Sequence, residues 1–295
     1  MLSRILIGFV VIAAPLLMSK DTSSDYSQQI LAWQRHREAG LRSPTGWLTL
    51  AGLFWLKPGD NTIGSGETSD FLLPQHAPSQ VGVFHVSGNE VSFTNLGGAS
   101  VTVNQAPISG TVDLKHDVDD DKSDKIQAGP VVFYVIDRDG QLAVRVKDRS
   151  SQTLKNFKGT EFFPTNPSFR FEAKFIPESK MIPVPNVQGK TEMEESPGVV
   201  EFEHGGKVFR LRPIYEGKTL FFIFKDETSR KETYQGGRMV NTPLPQLGKV
   251  VLDFNKAYSP PCMFSPFATC PWPLKENSLP FRVEAGELRY EEDHR

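Results

Sequence analysis

The sequence predicts a mainly β protein: an antiparallel, sandwich-like N-terminal half, a second β-rich half and one short N-terminal helix. Short apolar segments recur with period-two alternation, as half-buried strands require. Turn formers punctuate them, with 24 Gly and 22 Pro in 295 residues. Phe supplies 21 of the aromatics against 6 Tyr and 4 Trp, and long helical runs are few. Hydrophobic residues make up 38% of the chain and charged residues 23%, enough apolar content to bury a core. The net charge of −2 exerts no global pull toward nucleic acid or acidic membranes, so neither partner is expected.

At the N-terminus Arg4 precedes an apolar run from Ile5 to Met18, broken only by Pro15. It is short of the roughly 20 residues a membrane span needs and fits a signal-peptide core. Thr22-Ser23-Ser24 offers small residues for cleavage before Asp25. Residues 1–24 therefore read as a signal peptide or an uncleaved anchor, and the mature protein as periplasmic or secreted. A membrane contact is expected only through that anchor. Residues 25–45 hold the helix, which should run from Ser27 to Ala39. Ile30, Trp33 and the stem of Arg37 share one face; Ser27 caps its start and Gly40 its end.

Residues 46–152 form the first β half. The apolar stretch Trp47–Leu56 ends at the turn Pro58-Gly59-Asp60-Asn61. Val81, Val83 and His85 alternate, as do Val91 and Phe93, Val101 and Val103, Val131, Phe133 and Val135, and Leu142, Val144 and Val146. Gly88-Asn89, Gly97-Gly98 and Asp139-Gly140 are turn signals between them. Residues 153–295 form the second half, or the two share one core. Phe169, Phe171, Ala173 and Phe175 alternate, after which Pro177, Pro183 and Pro185 should interrupt the strand. Val199–Phe202, Val208–Leu211, Leu220–Phe224 and Val250–Phe254 read as strands, and His204-Gly205-Gly206-Lys207 as a hairpin turn. Phe221-Phe222-Ile223-Phe224 is apolar on both faces and should sit centrally in a sheet.

Chemistry-bearing motifs are sparse. Asp117, Asp119, Asp120, Asp121 and Asp124 crowd one loop, but Lys122 and Ala128 stand where a calcium loop needs Gly and Glu, so a solvated acidic turn is expected. No Gly-x-Ser-x-Gly, His-Glu-x-x-His or Cys-x-x-Cys occurs. The six His are scattered, so no local metal clamp, and no metal or cofactor, is expected. Cys262 and Cys270 read as a disulfide in an oxidising compartment, with buried thiols, a catalytic thiol or a metal as the other readings. Gly236-Gly237-Arg238 offers a flexible turn and a planar anion fork. The Pro-rich segment from Val250 to Pro273 should deliver Asp253 and Asn255 on one strand face and hold Tyr258 beside the two Cys.

Several segments resemble a bacterial family of unknown function, domain-of-unknown-function family 1684. They include Gly52–Asn61, Arg145–Asp148, Thr233–Arg238, Asp253 to Cys262, Thr269–Pro271, Asn277 and Ala285–Glu287. That resemblance implies the layout and no particular chemistry. Asn61 to Pro107 is similar, more weakly, to the forkhead-associated phosphopeptide-binding sandwich. Ser65 replaces the Arg that follows its Ile-Gly, and Ser79-Gln80-Val81-Gly82 lacks its His, which removes the phosphate-holding groups.

The expectation is a protein that binds a small polar or anionic ligand, or an envelope partner. Arg238 would be the anion fork, Asp253 and Asn255 orienting groups, and Tyr234 and Tyr258 walls, with Arg145, Asp148 and Glu287 as neighbours. The alternatives are a hydrolase-like enzyme with Asp253 or Glu287 as general base beside Arg238, and a structural envelope protein without ligand.

Overall fold

The computed structural model describes residues 22–98, 100–116, 122–138 and 140–290. The leader expected before Asp25 falls almost wholly outside them, as do Asp117, Asp119, Asp120 and Asp121 of the acidic loop and Asp139 of its turn.

Helix α1 (Thr22–Arg42) starts before and ends after the expected Ser27–Ala39. Neither Ser27 nor Gly40 bounds it. Asp25 in the first turn and Arg42 in the last complement the helix dipole. A 3.0 Å Arg42–Glu38 pair ties the last turn, and a helical Gly costs only about 1 kcal/mol, so Gly40 does not stop the helix.

The first half contains β1 (Leu50–Trp55), β2 (Gly59–Gly64), β3 (Phe71–Leu72), β4 (Gly82–Ser87), β5 (Glu90–Asn95), β6 (Val101–Val103), β7 (Ala106–Pro107), β8 (Thr111–Asp113), β9 (Ile126–Ala128), β10 (Val131–Arg138) and β11 (Gln141–Asp148). The front of the Trp47–Leu56 stretch is a 3-10 turn, Trp47–Thr49, before β1 begins. One sheet runs β1-β11-β10-β9-β6-β7 and the other β3-β2-β4-β5-β8. Their facing sides close over Ile63, Phe84, Phe93, Ile126, Phe133, Val144 and Val146, the sandwich core. The rings of Phe84, Phe93 and Phe133 meet with centroids 5.0–6.0 Å apart.

Period two then dictates what the other side of the first sheet carries. With Leu142, Val144, Val146 and Asp148 of β11 turned to the core side, Ala143, Arg145 and Lys147 lie on the outer face. The pairing places Tyr134 opposite Arg145 and Val132 opposite Lys147. On this outer face Tyr134, Ile136 and Ala143 are buried, with Leu53 and Trp55 packed against them.

The second half adds α2 (Gln152–Asn156), β12 (Arg170–Pro185), β13 (Thr191–His204), β14 (Lys207–Leu211), β15 (Ile214–Glu216), β16 (Thr219–Phe224), β17 (Arg238–Pro243) and β18 (Lys249–Asp253). Its sheets run β14-β13-β12-β18 and β15-β16-β17 around Val200, Phe202, Leu220, Phe222, Leu252 and Phe254. Phe221–Phe224 is central in its sheet, as its two-sided apolarity requires. The proline interruption does not occur: β12 is one 16-residue strand with a register shift between Pro177 and Lys180. Beyond Lys174 its only strand partner is β13, so each proline can turn its missing N–H to the opposite edge, which at Pro185 meets the cysteine loop. The resulting β12–β13 ribbon reaches the first half, where Lys190 lies over the Trp55 ring at 4.1 Å. Its tip is also zipped to the cysteine loop, through Val187 N to Cys270 O (3.0 Å) and Trp272 N to Pro185 O (2.7 Å).

Candidate functional site

A cavity of about 510 Å³ lies between the halves. One wall is the outer face of the first sheet, which contributes Leu50, Arg138, Arg145 and Lys147. The opposite wall comes from the ribbon and β15, with Glu192, Glu194 and Glu216. Trp47, Phe221 and Tyr258 give aromatic surface, and Pro261, Thr269, Cys270 and Pro271 of the cysteine loop close one side. Cations from one half thus share a hollow with carboxylates from the other.

Each polar group is held by its local fold. The Lys147 ammonium donates to Thr45 O at 2.6 Å, and Arg138 Nη1 to Asp137 O at 2.7 Å. Arg145 is 8% exposed and its Nη2 approaches Thr269 Oγ1 at 3.4 Å, linking β11 to the cysteine loop. Tyr258 donates its hydroxyl proton to Asn241 Oδ1 at 2.6 Å, and Asn241 Nδ2 donates to Glu216 Oε2 at 3.4 Å. Burial drives the Tyr258 hydroxyl pKa well up, with Arg37 opposing and Glu216 and Glu287 assisting. Its one proton is committed to Asn241, so toward the cavity the phenol offers its ring face and an acceptor oxygen. Partial desolvation lifts the Glu216 carboxyl above its ordinary value, with the Asn241 amide opposing.

Cys262 and Cys270 are joined in a disulfide. The bridge pins the loop that supplies Thr269, Cys270 and Pro271 to the cavity, and Ser265 Oγ ties the same loop to Leu50 O at 3.2 Å.

The residues expected to form one site from sequence do not line one cavity. Of them, only Arg145 and Tyr258 line the cavity. Arg238 is 1% exposed; its Nη2 meets Asp226 Oδ1 at 3.3 Å and Val283 O at 2.8 Å, and its Nη1 bonds Ala285 O. Burial pulls its pKa down while Asp226 acts against that. This guanidinium is spent on the core of the second half, so it is not the anion fork for a ligand that the Gly-Gly-Arg motif implied. The glycines serve its entry: Gly237 has φ +93°, and a Cβ there would meet Phe224 O at 2.5 Å.

Asp253 and Asn255 are brought together, by a 3-10 turn rather than by one strand face. Asp253 Oδ1 accepts the Asn255 N–H at 3.1 Å and the Tyr26 hydroxyl at 2.8 Å. Asn255 Oδ1 accepts Asn166 N–H at 2.8 Å, and its Nδ2 donates to Asn166 O at 2.9 Å. The pair anchors α1 and the chain near Asn166. Glu287 is fully buried and accepts from Arg37 Nε at 3.0 Å. Asp148 accepts the Ser150 N–H at 2.7 Å and contacts His76 Nε2 at 3.0 Å. The Tyr234 hydroxyl donates to Cys262 O at 3.4 Å, and burial raises its pKa. Neither carboxylate considered as a general base, Asp253 or Glu287, lines the cavity.

The cavity residues that the motif reading missed are Trp47, Arg138, Lys147, Glu192, Glu194 and Glu216. Their signal is charge on the face opposite an apolar alternation: Arg145 and Lys147 interleave Val144 and Val146, and Glu192 and Glu194 flank Met193.

Residues 155–288 match the model of a family described as protein of unknown function (DUF1684). No curated protein matches the chain. An uncharacterized protein of Haloarcula marismortui, known from a solution structure, is 30% identical. The match covers 45% of this chain and 78% of that one, with TM-score 0.39. The FhaA FHA domain solved with the intracellular domain of Rv3910 is 21% identical over 32% of this chain and 97% of that one, with TM-score 0.22. An FHA domain studied for phosphothreonine-dependent interactions is also 21% identical, over 32% and 92%, with TM-score 0.23.

Proposed function

We propose, for a chain that belongs to the DUF1684 family through residues 155–288, that it binds a small polar molecule in the cavity between its halves. The ligand carries an anionic group, met by Arg138, Arg145 and Lys147, and hydroxyl or ammonium groups, met by Glu192, Glu194 and Glu216. The observation that carries this reading is the opposition of those two charged walls across about 510 Å³, a volume suited to a small ligand. Trp47 and Tyr258 supply flat apolar surface between them. The ligand is held by charge-assisted hydrogen bonds inside a partly desolvated site, where they are about twice as strong as neutral ones.

The protein acts outside the cytoplasm. Supporting that are the short apolar N-terminal run before Asp25 and the Cys262–Cys270 bridge, which an oxidising compartment sustains.

Thermal unfolding in the presence of a panel of amino acids and hydroxy acids tests the binding. A ligand present at 100 times its Kd stabilises the fold by about 2.7 kcal/mol. Wild type should be stabilised by one class of compound, and Arg145→Met and Glu216→Gln should each lose that shift. Equal shifts in all three proteins would place the site elsewhere.

A further inference from the structure

Resting on the cavity reading above, we infer that the hollow between the halves recognises a primary ammonium group, with Glu216 setting that preference and Asn241 positioning it. The fold brings the side chains concerned to one end of the cavity. In the sheet β15-β16-β17, Phe221 pairs with Ile214 on one side and Asn241 on the other. Glu216 lies two residues beyond Ile214, so period two turns it to the side of Phe221, and both line the cavity. The Tyr258 backbone is zipped to Met239, two residues before Asn241. Met239 N donates to Tyr258 O and Tyr258 N to Met239 O, both at 2.8 Å. That contact sets the phenol beside the Asn241 amide.

Asn241 is engaged at both ends. Its Oδ1 accepts the Tyr258 hydroxyl proton at 2.6 Å, and its Nδ2 donates to Glu216 Oε2 at 3.4 Å. The reversed amide would face its oxygen to the Glu216 carboxylate, so the two contacts fix its orientation. What this end then offers a ligand is acceptors alone: Glu216 Oε1 and the lone pairs of Tyr258 Oη. Glu192, on the ribbon side, adds a second carboxylate, whose Oε1 accepts from Asn186 Nδ2 at 3.1 Å. Both carboxylates are thus met by neutral amides, and among the described residues neither has a salt bridge. A hydroxyl brings one donor to such a set, and a quaternary ammonium brings none. A primary ammonium brings three, together with a positive charge. An anionic group is repelled from this end and belongs on the wall of Arg138, Arg145 and Lys147. The ligand class is therefore a zwitterion with a primary amine, of amino-acid type, and not a hydroxy acid.

Calorimetric titration with two matched sets of probes tests this. One set is alanine, lactate and N-trimethylalanine; the other is phenylalanine, phenyllactate and N-trimethylphenylalanine. Within at least one set the amino acid should bind, and its hydroxy and trimethyl counterparts should bind roughly tenfold more weakly or worse, the value of one lost charge-assisted contact. Glu216 and Asn241 are both exposed, so Glu216→Gln and Asn241→Ala should keep the wild-type unfolding midpoint. Glu216→Gln should weaken the amino acid and leave the hydroxy acid unchanged. Asn241→Ala frees the Tyr258 proton for a ligand oxygen, so the preference for amine over hydroxyl should narrow there too, a change in selectivity that lost stability alone does not produce. Wild-type binding of a hydroxy or trimethyl compound as tight as that of its amino acid overturns the ammonium assignment. So does an amine preference undiminished in Glu216→Gln. If that hydroxy acid binding is lost in Arg145→Met, the cavity reading stands without the ammonium assignment. No binding of any of the six probes overturns both.

Discussion

Arg37 donates from Nε to the Glu287 carboxylate at 3.0 Å, joining residues 250 apart in sequence. The same guanidinium gives Nη2 to Ser259 O at 2.9 Å and lies 4.6 Å from the Trp47 ring and 4.9 Å from that of Tyr258. One side chain of α1 therefore braces the aromatic wall of the cavity from behind. Removing it as Arg37→Met leaves a fully buried carboxylate without its partner, and should cost about 3–5 kcal/mol in denaturant unfolding.

Glu287 also sets a pH dependence. Burial raises its pKa above the ordinary 4.5, against the opposing pull of Arg37. The folded state then binds this proton at a pH where the unfolded state has released it. The contribution to stability is fully present below 4.5 and is lost as pH rises through the folded value. Wild type measured against Glu287→Gln should gain relative stability as pH falls through that window. A difference independent of pH would show that Glu287 titrates normally in the fold.

Arg238 and Arg145 should separate cleanly. Arg238→Met strands the buried Asp226 and should destabilise by about 3–5 kcal/mol while sparing ligand binding in whatever protein folds. Arg145→Met should abolish the ligand-induced thermal shift at smaller structural cost. The check is chemical denaturation beside thermal shift on both variants.

Tyr26→Phe removes the hydroxyl that donates to Asp253 at 2.8 Å and accepts from Asn255 at 3.0 Å. A loss of about 1–2 kcal/mol is expected, with faster amide exchange in α1 read by mass spectrometry.

Reduction of Cys262–Cys270 should cost about 2–3 kcal/mol, the chain-entropy value for a short loop. Because Thr269, Cys270 and Pro271 line the cavity, the ligand-induced shift should shrink as well. An intact shift after reduction would mean the loop wall holds without its bridge.

Most of the fold was readable from alternation and turns, since period two and paired glycines are local signals. The His204-Gly205-Gly206-Lys207 turn is one case, closing β13 and β14 with Gly205 and Gly206 at φ +57° and +72°. The length of β12 was hidden because its prolines sit on an edge that only pairing reveals. The site was legible at Arg145 and Tyr258 and, through the bridge to Cys262, at Cys270. Arg238 looked like a ligand fork because sequence shows its glycines but not Asp226, which claims it from 12 residues away. The cavity's charges come from strands of different halves, and nothing local says that the outer face of β11 meets Glu192 and Glu194.

The most direct measurement is a crystal structure of the protein soaked with the amino acid or hydroxy acid that gives the largest thermal shift. The account places its electron density between Arg145 and Glu216, against the Tyr258 ring. Density for that compound elsewhere, with the hollow between the two halves holding only solvent, would contradict it.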